Sequence, residues 1–309
     1  MLKQIIETSL NLVPEKAQLE MGNFLWRGQM DLGILFLGAR KESINVNGIK
    51  TSYITMGDPK NEVYIALPGF SDSKESYLVL GKLLSTKYRF IAVDVPGFGE
   101  SEHLPIEYSA ENYALWFYNF TLALGIKKFH GFGNSLGGAI LGEYAHLNQD
   151  SLLSITLACS AGIFQEEVMS FYSEYQNGKN LFLVNHENDF DLFLDRLFFK
   201  KPLVPYPIQK FLYLKYKNNK EHFTNIMNGL TKDFLGNKQY LRLEERYSKL
   251  ETNTLVIWGQ HDSLFPVSYG ELLSSYIPNS RFKVIQNSGH LPHVETPRKL
   301  ASEIWDFLN

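Results

Sequence analysis

A serine near the middle of the chain lies in a setting that could make it a nucleophile. The segment Gly133–Gly138 reads Gly-Asn-Ser-Leu-Gly-Gly, follows strand-type residues and precedes a helix-type pattern. A tight strand-to-helix turn strains the backbone at its centre, and Gly133 and Gly137 remove side chains that would collide there. The turn, which also includes Asn134, would raise the Ser135 hydroxyl above the carboxyl edge of a sheet, where ligands bind. We therefore predict a nucleophilic Ser135; the alternative is a glycine-rich turn with a bystander serine.

A serine hydroxyl is a poor nucleophile until a base takes its proton, so a histidine is expected nearby. His290 follows the last strand-type run, where a loop can carry an imidazole to the sheet edge. His293 is the nearest alternative, and we expect it to face the following turn. The histidine needs a carboxylate to hold its tautomer, and Asp262 follows the preceding strand-type run. Residues 159–162, which follow the other strand that could carry the acid, contain no carboxylate.

Two backbone N–H groups should stabilise the negative oxygen that forms when a serine attacks a carbonyl. Leu136, the residue after the serine, is expected to supply one of them from the first turn of its helix. The second is expected from Phe70, in the segment Pro68–Ser71 that follows another strand-type run. The alternative for this segment is a turn that only connects a strand to a helix. We therefore predict an oxyanion hole formed by the backbone N–H groups of Phe70 and Leu136.

Segments of strand and helix character alternate along most of the chain and would position these residues. Asn47 and Gly48, between two alternating runs, indicate a hairpin of antiparallel strands that begins at Ser43. After it, short apolar or β-branched runs alternate with helix-length segments, which predicts a mostly parallel sheet with helices on both faces. The predicted strands are Val63–Leu67, Phe90–Val93, Lys128–Phe132, Leu153–Ala158, Thr254–Trp258 and Phe282–Ile285, and the predicted helices lie near 74–86, 109–124, 136–147, 268–277 and 297–308.

The alternation stops between residues 163 and 250, where no convincing strand is found. This segment is rich in Phe, Tyr and Leu and reads as several short helices. A structureless loop of this length inside a compact domain is improbable, so a helical insertion is the better interpretation. Its aromatic residues could form the wall of an apolar pocket. We predict an α/β core over 43–162 and 251–309, a helical cap over 163–250, and a helical N-terminal extension over 1–42.

These motifs, in this order, resemble those of the α/β-hydrolase fold serine hydrolases over about residues 43–309. Within that fold they are similar to the branch that holds monoacylglycerol lipase-like esterases and the C–C hydrolases of meta-cleavage products. The resemblance implies a Ser135–Asp262–His290 triad, a cap inserted after the sixth strand, and no metal ion or organic cofactor. The segments that carry it are Leu67–Phe70, Asp94–Ser101, Gly133–Gly138 and Gly289–Glu295.

The motifs differ from the family pattern in ways that separate the candidate functions. The C–C hydrolases typically carry Gly-Arg-Asp-Asp around the acid and a Trp after the catalytic histidine, whereas this chain has Gly-Gln-His-Asp at 259–262 and Leu291. Pro68 stands where the family usually has a histidine. We therefore predict hydrolysis of carboxylic esters with apolar acyl groups, small esters or lipids, through an acyl-enzyme. The alternatives are a C–C bond hydrolase of meta-cleavage products and a non-catalytic ligand-binding protein with a vestigial triad.

Composition limits the compartment and the partners. The 309 residues carry a formal net charge of −3, which supplies no broad basic field for a phosphate backbone, so we expect no nucleic-acid partner. The single cysteine, Cys159, cannot form an intramolecular disulfide and favours a reducing, cytoplasmic location. Nothing in the composition indicates an oligomeric state.

The N-terminal extension, residues 1–42, has equal numbers of basic and acidic residues around a helix-type apolar pattern. Glu7 interrupts the apolar stretch that a signal peptide needs, and no apolar run is long enough for a membrane-spanning helix. Two interpretations stay open for this extension. It packs on the body of the protein, or it makes a peripheral contact with a membrane or a partner protein.

Overall fold

The fold is built on one eight-stranded sheet. The computed structural model describes residues 13–163, 174, 181–235 and 243–309, with only the backbone of 231–235. The strands are β1 (Arg40–Val46), β2 (Ile49–Met56), β3 (Val63–Leu67), β4 (Arg89–Val93), β5 (Phe129–Asn134), β6 (Leu152–Ala158), β7 (Thr254–Gly259) and β8 (Ser280–Ile285).

The strand directions agree with the sequence prediction. Across the sheet the strands run β1-β2-β4-β3-β5-β6-β7-β8. β1 and β2 form the predicted hairpin through Asn47 and Gly48, whose φ angles of 51° and 91° are left-handed. β2 pairs antiparallel with β4, and the pairs from there to β8 are parallel. The mostly parallel α/β sheet is therefore confirmed, although β1 begins at Arg40, before the predicted start at Ser43.

Helices cover the sheet and fill the long connection between β6 and β7. The helices of the described residues are α1 (Glu15–Leu37), α2 (Leu78–Leu84), α3 (Ala110–Ala123), α4 (Leu136–Asn148), α5 (Glu187–Leu197), α6 (Tyr206–Asn218), α7 (Lys220–Leu235), α8 (Glu244–Tyr247), α9 (Val267–Tyr276), α10 (Pro292–Glu295) and α11 (Pro297–Leu308). The predicted helix at 74–86 divides into a 3-10 turn, Lys74–Tyr77, followed by α2. Helices α5 to α8 lie in the predicted cap, whose limits at 163 and 250 stay a prediction.

The central strands β3 to β7 are buried on both faces, as a parallel sheet covered by helices requires, whereas β1 and β8 at the edges are partly exposed. Neighbouring residues of one strand point to opposite faces, so Ile65 joins one apolar cluster and Tyr64 the other. The first cluster includes α3, α4 and the cap, represented by Phe190, and the second includes α2 and α11. This two-sided burial makes the ends of the central strands the places where a ligand can reach them.

The described part of the N-terminal extension is helix α1 followed by the start of β1. The helix ends at Gly38, which takes a left-handed φ of 72°. It packs closely on α6 at Gly22, where a Cβ atom would lie 2.3 Å from Cβ of Phe211. The first twelve residues lie outside the described part of the chain. Among the helices that are described, none is both long and apolar enough to cross a bilayer.

Candidate active site

Four loops carry the predicted site residues to one edge of the sheet. Strands β3, β5, β7 and β8 are parallel, so the segments that follow them leave the sheet on the same side. Phe70 follows β3, Ser135 follows β5, Asp262 follows β7 and His290 follows β8. Phe70, Ser135 and His290 line one cavity at this edge. The topology thus brings together residues that lie far apart in the chain.

The turn at Ser135 is strained, and its neighbours hold it in place. Ser135 has φ 52° and ψ −118°, a conformation that costs a non-glycine residue about 1–3 kcal/mol. Its N–H donates to the Ala158 carbonyl at 3.0 Å, and its carbonyl accepts from the Ala161 N–H at 3.0 Å. A Cβ on Gly133 would lie 2.4 Å from the Gly137 carbonyl oxygen, so the turn excludes side chains there. The glycines and the bonds to β6 together explain why the serine can adopt this conformation.

Asp262 and His290 form a buried pair. The Nδ1–H of His290 donates to Oδ2 of Asp262 at 2.7 Å, and both side chains are almost fully buried. The other carboxylate oxygen, Oδ1, accepts from the N–H groups of Leu264 and Phe265, each at 2.9 Å. These three bonds orient the carboxylate and keep the imidazole proton on Nδ1. Nε2 is therefore the nitrogen that can accept a proton.

The backbone of His290 is fixed from two directions. Its N–H donates to the Leu197 carbonyl at the end of α5 at 2.8 Å, and its carbonyl accepts from Nδ2 of Asn134 at 3.1 Å. The cap and the turn before the serine therefore both orient the imidazole. Within the described part of the chain, the buried Nε2 has no hydrogen-bond partner. Because Ser135 lines the same cavity, this arrangement permits Nε2 to take the serine proton, a role that stays a prediction.

The predicted oxyanion donors lie on either side of Ser135. Leu136 is the first residue of α4, where a backbone N–H has no acceptor inside the helix. A Cβ on Gly69 would lie 3.1 Å from Cβ of Ser135, so the segment after β3 runs directly past the serine. The Phe70 ring packs against Phe182 of the cap, with a centroid separation of 4.5 Å. The role of the two N–H groups stays a prediction that this arrangement permits.

A second histidine contacts the loop after β3, a position that the sequence reasoning did not predict. His293 is fully buried and does not face the following turn, so that expectation was wrong. Its ring stacks on Tyr77 at 4.2 Å, and its Nε2 lies 3.3 Å from Oδ2 of Asp72. Asp72 also accepts from the Ser76 hydroxyl at 2.8 Å and follows Phe70 closely in the chain. The short helix α10 carries the His293 imidazole inward, and the contact between His293 and Asp72 connects α10 to the loop after β3.

Cys159 lies beside Asp262. It directly follows β6, the strand whose following residues contain no carboxylate. Its Sγ accepts a hydrogen bond from the Gly259 N–H at 3.4 Å. Burial, together with the charge of Asp262, raises the pKa of the thiol well above its ordinary value, so the thiol is neutral. Its sulfur lies within 4.8 Å of ligand atoms of Asp262 and His290. Since those two already hydrogen-bond each other, the cluster fits a catalytic pair better than a cation site.

The Asp-Val-Pro-Gly-Phe-Gly-Glu-Ser motif after β4 begins with Asp94, which forms a buried ion pair with Lys74. Nζ of Lys74 lies 2.7 Å from Asp94 and 2.8 Å from Glu75. Asp94 also accepts from the Glu100 N–H at 2.8 Å. A Cβ on Gly99 would lie 2.2 Å from the Asp94 carboxyl carbon, which explains the glycine at this position. The motif thus anchors the 3-10 turn Lys74–Tyr77, which begins just beyond the segment Pro68–Ser71.

The cavity beside the serine has a volume of about 200 Å³. The aromatic wall expected from the cap is present among the described residues. The aromatic residues from the cap that line it are Phe182, Phe190, Phe193, Phe198 and Tyr216. Two further lining residues were not anticipated, Trp26 of α1 and Lys215 of α6. The N-terminal extension therefore contributes to the wall of the site.

Comparison with known proteins agrees with this arrangement. The sequence pattern of the family described as alpha/beta hydrolase fold matches residues 65–297. The chain is 26% identical over 284 residues to monoacylglycerol lipase abhd6-A of Xenopus laevis, covering 88% of this chain and 83% of that protein. It is 27% identical over 266 residues to lipase 3 of Moraxella sp. (strain TA144), covering 84% of this chain and 82% of the lipase. The crystal structure of a membrane phospholipase A superposes with a TM-score of 0.87 at 26% identity and covers 100% of this chain and 98% of that chain.

Proposed function

Because the chain belongs to the α/β hydrolase fold family, we propose that it cleaves carboxylic esters of apolar acyl groups through an acyl-enzyme on Ser135. The chain is a carboxylic ester hydrolase, in keeping with its likeness to named lipases over most of its length. The observation that carries the finer proposal is the buried hydrogen bond between Asp262 and His290 at the cavity that Ser135 lines. These contacts support the triad that the order of motifs predicted.

The proposed reaction needs only residues of this chain, the ester and water. Ser135 Oγ attacks the ester carbonyl carbon while Nε2 of His290 takes the hydroxyl proton. The N–H groups of Phe70 and Leu136 donate to the carbonyl oxygen as it becomes negative. The imidazolium, stabilised by Asp262, gives its proton to the departing alcohol and leaves the acyl group on the serine. Water then attacks in the same way and releases the carboxylic acid.

Turnover should increase with acyl chain length until the apolar cavity is full. Each buried CH₂ group contributes about 0.8 kcal/mol, so kcat/KM for p-nitrophenyl esters should rise about three- to fourfold per added carbon from acetate upward. The measurement is steady-state hydrolysis of an acetate-to-dodecanoate series, each ester below its critical micelle concentration. A profile that is flat or falls from acetate onward would contradict an apolar acyl site.

The two alternative functions predict different results in the same assays. A C–C hydrolase of meta-cleavage products would turn over a dienoic ring-fission product faster than any ester. A ligand-binding protein with a vestigial triad would bind esters without releasing a burst of p-nitrophenol. The Gly-Gln-His-Asp sequence at 259–262 and Leu291 favour the ester reaction over the first alternative. Measuring both substrate classes with one preparation separates the three functions.

Helix α1 supports a further part of the proposal, a peripheral contact with a lipid bilayer. One side of this helix is apolar and, in the described part of the chain, exposed. Its residues, 39–79% exposed, are Met21, Phe24, Leu25, Leu32, Leu35 and Phe36. Helical spacing places them within one face, as in helices that lie on membranes. Because Trp26 of the same helix lines the cavity, a bilayer under this face would lie next to the site.

Replacing two of these side chains by charges should release the protein from vesicles. Phe24→Glu combined with Phe36→Glu should weaken binding to phosphatidylcholine vesicles by about tenfold or more, because each change removes a large apolar group from the bilayer. Flotation with sized vesicles measures the bound fraction. Since residues 1–42 carry balanced charges, adding anionic lipid should alter wild-type binding by less than about twofold.

The matched control carries the same two charges on another helix. Leu115 and Leu122 of α3 are 51% and 55% exposed, so Leu115→Glu combined with Leu122→Glu should leave vesicle binding unchanged. Equal loss in the two double variants, or absence of wild-type binding, would contradict a contact made by α1.

The cytoplasmic location and the lack of a nucleic-acid partner stay predictions that rest on the single Cys159 and on the net charge.

A further inference from the structure

An ammonium group lines a cavity whose cap wall is largely aromatic. Lys215 follows Ile208, Phe211 and Leu212 at helical spacing on α6, where Ile208 and Phe211 are buried. Lys215 is itself half-buried and lines the cavity together with Ser135. A lysine that continues the apolar face of a helix is a sequence signal that the search for catalytic motifs overlooked.

The three lysines of α6 differ in their partners. Lys210 pairs with Glu187, and Lys217 pairs with Glu15 of α1. Over the residues that the structure describes, the ammonium of Lys215 has neither an ion pair nor a hydrogen bond. Two of these charges are therefore paired, whereas the one at the cavity has no partner among the described residues.

The carboxylates that act on Lys215 at longer range are already engaged. Asp94 and Glu75 contact Nζ of Lys74 at 2.7 and 2.8 Å, and Asp72 accepts bonds from a backbone N–H and a hydroxyl. Burial lowers the pKa of Lys215, and the charges of Asp94 and Glu75 oppose this only in part. A half-buried cation without a partner is costly, so an anion on the substrate would be bound favourably there.

We propose that Lys215 makes the site selective for esters that carry an anionic group, a phosphate or a carboxylate, besides their apolar acyl chain. An ammonium is a compact point charge that binds the oxygens of either group. The acyl chain would lie against the aromatic wall, the ester at Ser135 and the anion at Lys215. This inference rests on the proposed ester hydrolysis and narrows its substrates to anionic amphiphiles.

The test compares three esters that share one acyl chain: 1-decanoylglycerol, 1-decanoylglycerol 3-phosphate and the decanoyl ester of glyceric acid. The wild type should prefer at least one anionic ester to the neutral one. Lys215→Met should lower kcat/KM for that ester by about ten- to hundredfold, mainly through KM, and change the neutral ester by less than about threefold. Lys215→Arg should retain most of the preference. Comparison of the two anionic esters shows whether Lys215 favours a phosphate or a carboxylate.

Lys217→Met is the matched control, because it removes a charge from the same helix at a residue outside those that line the cavity. It should leave the ester preference of the wild type unchanged. An equal loss of kcat/KM for neutral and anionic esters in Lys215→Met, or a wild type without preference for an anionic ester, would overturn the proposal.

A binding measurement separates this proposal from the proposed reaction. Calorimetric titration of Ser135→Ala with n-decyl phosphate and with 1-decanol reports the contribution of the anion without turnover. Adding Lys215→Met should weaken binding of decyl phosphate by at least about tenfold and leave decanol unaffected. If the wild type hydrolyses no ester, the proposed function fails even when this difference is found. If esters are hydrolysed but the difference is missing, only the role of Lys215 fails.

Discussion

Ser135→Ala should lower kcat for p-nitrophenyl ester hydrolysis by about 10⁴-fold or more and leave the fold intact. In the proposed mechanism the hydroxyl is the atom that forms the acyl-enzyme, so no other group can replace it. The hydrogen bonds that hold the turn to Ala158 and Ala161 use only the backbone of Ser135. Rates at saturating p-nitrophenyl butyrate and the near-ultraviolet circular dichroism spectrum measure the two parts of this prediction.

A covalent probe identifies the nucleophile directly. A fluorophosphonate should attach to Ser135 in the folded wild type, as located by peptide mass spectrometry, and should leave Ser135→Ala unlabelled. Ser275→Ala is the control, because this serine is exposed on α9, away from the cavity-lining residues. Activity of Ser135→Ala within tenfold of the wild type, or attachment at a different serine, would rule out the proposed nucleophile.

Asp262→Asn should reduce kcat by about 10⁴-fold, because the wrong nitrogen of His290 would carry the proton. Oδ1 of Asp262 accepts from the N–H groups of Leu264 and Phe265. An asparagine must place its carbonyl oxygen there, which points its NH₂ group at Nδ1 of His290. Two donors cannot face each other, so the imidazole proton moves to Nε2, where it blocks acceptance of the serine proton. Steady-state rates with the same ester measure the loss.

The position of the imidazole proton on His290 can be observed directly. This observation separates a change of tautomer from misfolding of the variant. The wild type should show a downfield proton resonance from the Nδ1–H that donates to Asp262, and Asp262→Asn should lack it. Asp306→Asn removes an exposed carboxylate on α11 and should change neither the rate nor the resonance. Loss of less than tenfold in Asp262→Asn would show that another group orients His290.

The sheet and the order of the site residues could be predicted because their signals are local. β-branched runs of strand length predicted β3 through β8 to within a few residues, and an Asn-Gly pair predicted the first hairpin. Gly133 and Gly137 marked the turn, since neighbouring side chains would collide there whatever the rest of the chain did. Parallel strands then place the loops after them on one edge, which is why Ser135, Asp262 and His290 could be grouped from the sequence.

By itself, the sequence thus determined the fold class, the candidate nucleophile, its base and its acid, because each depends on a short pattern and on the direction of parallel strands. Only the tertiary structure decided which distant side chains meet. The Asp72–His293 contact and the thiol of Cys159 beside Asp262 depend on packing between separate segments. For Lys215, the spacing of residues along α6 marks the helix face, but only the fold shows that this face borders the cavity. Such contacts leave no local pattern in the sequence, because the two groups are far apart in the chain and interact only when folding brings them within a few ångströms of each other.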